Sequence, residues 1–213
     1  VKLAFPNTTV KPLTDNQELY LETLFSKDLV LGLGPAGTGK THLAVAVAIK
    51  KLITNKVQRV VMSRPVVEAG ENLGYLPGTP DDKLKPYIRP LIDTIDELVG
   101  EKQRNDWQSE RKIVIEPLAF LRGRTLKNSA VILDEAQNAT SAQLKLYMTR
   151  LGKGSWMCVN GDPHQTDLDN NRAGALRNAA DKLSQSDLIG VVEMEAVDIV
   201  RHPIVEEIQK YYV

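Results

Sequence analysis

Cysteine is all but missing from this chain: Cys158 is the only one in 213 residues. No disulfide can form within the chain, and a reducing, cytoplasmic compartment is the expectation that such usage supports. The three histidines, His42, His164 and His202, stand far apart and, with one cysteine, offer no zinc-ligand spacing. Net charge is also missing, since 27 Lys and Arg balance 27 Asp and Glu. That excludes a strongly basic nucleic-acid glue or a polyacidic tail, but leaves room for a local basic surface. No apolar run approaches the ~20 residues a helix needs to cross a bilayer, so no membrane partner is expected. Internal repeats and low-complexity segments are absent.

What remains is an ordinary globular composition, 42 % hydrophobic and 25 % charged. A chain of this size buries roughly 70 % of its unfolded surface, which rules out global disorder and removes any need for covalent staples. One domain spanning residues 1–213 is expected.

Short aliphatic runs alternate with longer amphipathic stretches, the order of a mostly parallel sheet with helices on both faces. Strands are expected at 29–33, 59–63, 113–116, 130–133, 156–160 and 191–194. Several are continuously apolar, as strands buried on both faces must be. Helices are expected at 14–25, 39–54, 90–99 and 141–151, with a last one from Pro203. The first carries Thr14 followed by Gln17, a capping-box pattern. Residues 64–89 resist this scheme. Pro65, Gly70, Gly74, Pro77, Gly78, Pro80 and Pro86 crowd the segment. It is too long for an ordinary connection and reads as an insertion projecting from the core.

Gly34-Pro35-Ala36-Gly37-Thr38-Gly39-Lys40-Thr41 satisfies G-x-x-x-x-G-K-[ST] between a strand and a helix. Glycines let the backbone curl until successive N–H groups face phosphate oxygens, and the helix N-terminus adds partial positive charge. Lys40 reaches the terminal phosphates, and the Thr41 hydroxyl joins a Mg2+ shell.

The strand at 130–133 runs into Asp134-Glu135. Ligands of parallel sheets sit at the carboxyl ends of strands. Neighbouring residues leave a strand end in different directions, so Asp134 can serve the metal while Glu135 orients or deprotonates the attacking water. Helix capping by both acids is the plainer alternative. The stretch Asp134-Glu135-Ala136-Gln137 resembles the second motif of helicase-like ATPases. Gly161-Asp162-Pro163-His164-Gln165 resembles the third motif of superfamily-one helicases, in which the glutamine, here Gln165, senses the γ-phosphate. An Asp-Pro turn without such a role is the alternative.

A guanine-reading [NT]-K-x-D pattern is missing; Asn55-Lys56-Val57-Gln58 lacks the aspartate. Leu13-Thr14-Asp15-Asn16-Gln17 instead resembles the adenine-reading glutamine motif of helicases. The Gln17 amide offers one donor and one acceptor, matching adenine N6 and N7, although it can equally complete the capping box. ATP is therefore the expected nucleotide.

Three further stretches narrow the resemblance: Asp82-Lys83-Leu84-Lys85-Pro86-Tyr87-Ile88-Arg89-Pro90, Glu116 through Leu126, and Asp198-Ile199-Val200-Arg201-His202-Pro203. With the nucleotide motifs they resemble the signatures of the PhoH-like, phosphate-starvation-inducible ATPases over nearly the whole chain. Asn171 to Leu176 departs from that pattern, which leaves the detail of one turn open. The resemblance implies a RecA-like domain with ATPase activity, a role in RNA metabolism and a hexameric ring.

A chain too short for two motor domains needs an arginine from elsewhere to stabilise transition-state charge, an effect of about 10³–10⁵ in rate. A head-to-tail homo-oligomer supplies one from the neighbour. Arg201 is the first candidate and Arg150 the second, each with a surface salt bridge as the alternative. For single-stranded RNA, Arg64, Lys83, Lys85 and Arg89 lie in the 64–89 segment with Tyr75 and Tyr87, but so do Glu68, Glu71, Asp81 and Asp82. Competing functions are a small-molecule or nucleotide kinase, disfavoured by the third motif, and a non-catalytic ATP-dependent ring, disfavoured by Glu135. Cys158, on an expected buried strand, reads as core and not as a nucleophile.

Overall fold

Alternation along the strands decides the architecture. In β3 (Leu29–Leu33) the residues Leu29, Leu31 and Leu33 enter one apolar cluster while Val30 enters another. A strand that is greasy on both faces needs a layer on each side. The computed structural model describes residues 1–65, 80–166, 174–200, 204 and 211, with 80–86 as backbone only.

β3, β4 (Arg59–Ser63), β5 (Ile113–Ile115), β6 (Ser129–Leu133), β7 (Trp156–Gly161) and β8 (Ile189–Glu193) form one sheet in the order β5-β4-β6-β7-β3-β8. Every pairing in it is parallel. The connection leaving β3 is α2 (Lys40–Ile53), which leads to β4, on the far side of β7 and β6. The chain later returns to fill the gap, so β7 separates β3 from β6. The loops after β3, β7, β6 and β4 therefore open on the same sheet edge.

One face is covered by α1 (Asp15–Ser26), α2, α3 (Pro80–Val99) and α4 (Glu101–Ser109). Leu21, Leu24, Val47, Ile49, Leu91, Ile95 and Leu98 pack there on Val30, Val60, Ile132 and Cys158. The other face carries α5 (Ser141–Met148) and α6 (Ala175–Leu183), which set Leu144, Tyr147, Leu176 and Ala180 on Leu31, Val61, Val131 and Val159. β1 (Leu3–Ala4) and β2 (Thr9–Val10) form a small antiparallel hairpin, with Leu3 and Val10 joining the first cluster.

The strands at 29–33 and 59–63 fall where expected, and the others shift by one or two residues. Residues 80–89, read as part of an irregular insertion, are the first half of α3. Three prolines in that helix, Pro80, Pro86 and Pro90, suggest breaks on propensity alone, yet its buried Leu91, Ile95 and Leu98 keep it on the sheet. α5 ends at Met148, ahead of the Gly152 stop signal. The helix expected from Pro203 lies outside the described residues, apart from Ile204 and Tyr211.

Candidate phosphate and metal site

Gly34 leaves β3 with φ +133°, and a Cβ there would collide with the Met194 carbonyl. The loop can pass beneath residue 194 only with glycine at that place. It ends at Gly39, the left-handed N-cap of α2, so the first turn of α2 points its free N–H groups into the loop. Lys40 is buried. Its Nζ donates to Gly34 O (2.7 Å), Pro35 O (2.7 Å) and Thr38 Oγ1 (3.1 Å). Burial lowers its pKa, while the charges of Asp162, Asp134 and Glu135 act in the opposite direction. An ammonium surrounded by three acids and bound only to neutral oxygens is a cation held ready for an anion.

Thr41 Oγ1 donates to Asp134 Oδ1 at 2.7 Å, bringing together two residues that the sequence holds far apart. Asp134 is 1 % exposed, and its second oxygen accepts from Arg64 Nε (2.9 Å) and Nη2 (2.5 Å). Glu135 diverges. It has φ +55°, a left-handed conformation uncommon outside glycine, and its side chain is exposed. Its side chain makes no capping bond to the 3-10 turn Ala136–Asn138 that it precedes, so the plain capping alternative does not hold for Glu135. Backbone strain at the strand end thus separates a buried acid from an exposed one.

A cavity of ≈ 370 Å³ is lined by Gly37, Gly39, Lys40, Thr41, Asp134, Glu135, Asp162 and Gln165. The phosphate loop, the acid pair and the Gly161–Gln165 turn meet there. Gln165 is exposed on its rim, with its backbone N–H donating to Asp162 O at 3.2 Å. Gln17 is buried against the loop: its Nε2 donates to Thr38 O (3.2 Å), and its Oε1 accepts from Leu13 N (2.7 Å). Thr14 caps α1 by accepting from Gln17 N, whereas the Gln17 amide does not complete the box.

The oxygen-only donor pair of Thr41 and Asp134 suits a hard cation such as Mg2+, and no group of three or more His, Cys, Asp or Glu placed to hold a metal by themselves exists among the described residues. A site of that kind leaves most of the Mg2+ shell to phosphates and water, which is how this ion is commonly held.

Three contributors have roles that the sequence does not show: Gln137 and Asp198, which carry none there, and Arg64, which is read there as part of an RNA surface. Gln137 joins two motifs: its Nε2 donates to Glu135 Oε2 (2.6 Å), and its Oε1 accepts from Asp162 N (3.1 Å). It stands within Asp134-Glu135-Ala136-Gln137, and a buried amide between two motifs is the signal that points to it. Asp198 is 1 % exposed and accepts from Thr14 Oγ1 (2.5 Å), Asn16 Nδ2 (2.8 Å) and Glu195 N (2.8 Å). Val200 N donates to Gly37 O at 3.1 Å, so this segment braces the phosphate loop directly. Arg64 is the third, and here the sequence reading is corrected. A guanidinium spent on Asp134 is not displayed to an RNA strand.

Of the other candidates, Arg89 is exposed and pairs with Asp93 at 2.8 Å. Arg201, Tyr75 and the side chains of Lys83 and Lys85 lie outside the described residues. Arg150 donates from Nε to Leu146 O at 3.1 Å. Cys158 is buried, and burial pushes its thiol up to about 12, as befits a core residue.

Solved structures share this fold. The large terminase from a thermophilic bacteriophage aligns at TM-score 0.55 and 13 % identity, covering 95 % of this chain and 51 % of its own. The SWI2/SNF2 ATPase core of Sulfolobus solfataricus in complex with dsDNA aligns at 0.52 and 12 %, covering 92 % and 46 %. The sheet and its flanking helices are thus a RecA-like P-loop domain. Among curated proteins, a PhoH-like protein of Mycobacterium tuberculosis (strain H37Rv) is 45 % identical over 204 residues, covering 96 % of this chain and 58 % of its own. The Bacillus subtilis (strain 168) PhoH-like protein is 43 % identical over 204 residues, covering 96 % and 64 %, and Protein PhoH of Escherichia coli K12 is 40 % identical over 184, covering 85 % and 52 %. This chain therefore spans between half and two-thirds of the length of these relatives. The PhoH-like protein family profile matches residues 9–213, and with that match and these identities the chain belongs to the PhoH-like family of P-loop NTPases.

Proposed function

We propose that this domain, spanning residues 1–213, binds ATP with Mg2+ and hydrolyses it as a single-domain, helicase-like motor acting on RNA in the cytoplasm. The observation that carries the reading is the Thr41–Asp134 contact at 2.7 Å beside the buried Lys40, with Glu135 on the rim of the same cavity.

The chain's own groups divide the work. The loop's backbone N–H groups and the α2 N-terminus take the phosphates. Lys40 exchanges Gly34 O, Pro35 O and Thr38 Oγ1 for phosphate oxygens, a stronger, charge-assisted set. Thr41 and Asp134 hold the cation, which when bound supplies charge neutralisation between the phosphates. Glu135 orients a water and accepts its proton, with the Gln137 amide fixing its carboxylate. Gln165 senses the terminal phosphate from the cavity rim. Gln17 reads the base only by releasing Leu13 N or Thr38 O, so adenine recognition and loop shape are linked through one amide.

An arginine from a neighbouring subunit, Arg201 first, completes the site in a homo-oligomer, a hexameric ring in this reading. Action on nucleic acid is supported by the names of proteins with this fold, among them the UvsW helicase of bacteriophage T4 (TM-score 0.52, 10 % identity). The test is inorganic phosphate release from ATP alone, with single-stranded RNA, and with small-molecule or nucleotide acceptors. Release from ATP that RNA accelerates supports the reading. Transfer to an acceptor in place of release overturns it in favour of a kinase.

A further inference from the structure

Arg64 follows the last residue of β4, and three of its N–H groups are spoken for. Nε and Nη2 both donate to Asp134 Oδ2, at 2.9 and 2.5 Å, and Nη1 donates to Tyr87 O in α3 at 3.0 Å. The other carboxylate oxygen, Oδ1, accepts from Thr41. Asp134 is buried and Arg64 only partly so, with the Arg64 side chain 14 % and the Asp134 side chain 2 % exposed.

We propose that Arg64 is a positioning residue for the divalent cation: by holding Asp134 through one oxygen it turns the other onto Thr41, where the metal is taken. The inference rests on the Mg2+–nucleotide reading above and adds a residue to it. Two N–H groups converging on Oδ2 fix where that oxygen lies, and with Thr41 on Oδ1 they set the carboxylate's orientation, which a lysine's point charge does less well. They also settle a competition. Lys40 feels the charge of Asp134, and an Asp134 without Arg64 is free to draw that ammonium toward itself. Capture of Lys40 by Asp134 would take away both the phosphate cation and the metal ligand. Arg64 keeps the two apart, and through Tyr87 O it ties the metal carboxylate to α3.

The test uses the full chain with a non-hydrolysable ATP analogue. Mn2+ retention is read by electron paramagnetic resonance, and analogue affinity is measured separately in EDTA. Arg64→Ala is expected to weaken Mn2+ retention about 10–100-fold, the usual effect of losing a group that orients a metal ligand. Affinity in EDTA should fall far less than Mn2+ retention, because without the cation only the diversion of Lys40 toward Asp134 is felt; an equal fall in both would overturn the proposal. Arg64→Lys, which keeps the charge but not the fork, should fall between wild type and Arg64→Ala, and it carries the test if the alanine variant does not fold. Unchanged Mn2+ retention in the folded variants, even with a lower melting temperature, overturns the proposal and leaves a structural ion pair. Tighter retention also overturns it, because Arg64 would then be a competitor of the metal. A wild type that binds neither analogue nor Mn2+ defeats the nucleotide reading itself, and this inference with it.

Discussion

Buried acids organise this site, and each is matched differently. Asp134 shares its charge between a hydroxyl and a guanidinium, whereas Asp198 accepts three hydrogen bonds and, among the described residues, makes no ion pair. Burial pushes the Asp198 pKa up, but the bonds from Thr14, Glu195 N–H and Asn16 together hold it below the usual aspartate value. A carboxyl with a depressed pKa stabilises the fold above its unfolded pKa of about 3.9, and that contribution is lost as pH falls through the folded value. Asp198→Asn should therefore cost about 1–3 kcal/mol near pH 7, and the gap to wild type should shrink below about pH 4. Thermal melts of both proteins from pH 7 to 3 check this; a gap that stays constant contradicts it. In the sequence Asp198 stands only as part of a family signature. Its role is not legible there, because its partners Thr14 and Asn16 lie at the opposite end of the chain.

At the scale of elements, the sheet was the most legible part. Continuous aliphatic runs such as 130–133 admit few other readings, and the phosphate loop fixed where α2 begins. Two helices escaped, α4 and α6, the second with an apolar stripe made mostly of alanine. α4 reads EKQRNDWQS, nearly all polar, and is held by Trp107 against the core and by Arg104 on Asp96 at 2.6 Å. The start of α3 was hidden by prolines. A second element-level constraint is the packing of α1 on β3 and β7. A Cβ at Gly32 would lie 2.5 Å from Asn160 Oδ1 and 2.8 Å from the Tyr20 ring, both buried and bonded to each other. Gly32→Ala is expected to cost about 1–3 kcal/mol by overpacking, a fall in melting temperature of roughly 2–12 °C. A differential scanning calorimetry trace matching wild type would show that Tyr20 and Asn160 yield freely.

The whole molecule places its chemistry on one sheet edge because β7 lies between β3 and β6. That is why motifs scattered along the chain converge, and why Gln137 can touch both Glu135 and Asp162. Convergence of the phosphate loop and the acid pair was readable from motif order. The Arg64 fork was not, since an arginine beside a Pro/Gly-rich stretch looks like solvated loop charge until the fold brings Asp134 to it. Assembly is a claim at this scale. Mixing Arg201→Ala with Lys40→Ala protein should restore phosphate release, because each lends the other its intact half of an intersubunit site. Arg201→Ala protein that hydrolyses ATP normally alone, with no gain on mixing, would remove the neighbour's arginine from the account.

The most direct measurement compares wild type with Glu135→Gln in ATP binding and in phosphate release, both with Mg2+. Equal binding, with release lowered at least about 100-fold in the variant, is the predicted outcome, since only the water-activating carboxylate is lost. Release at the wild-type rate from the variant, or no ATP binding by either protein, would contradict it.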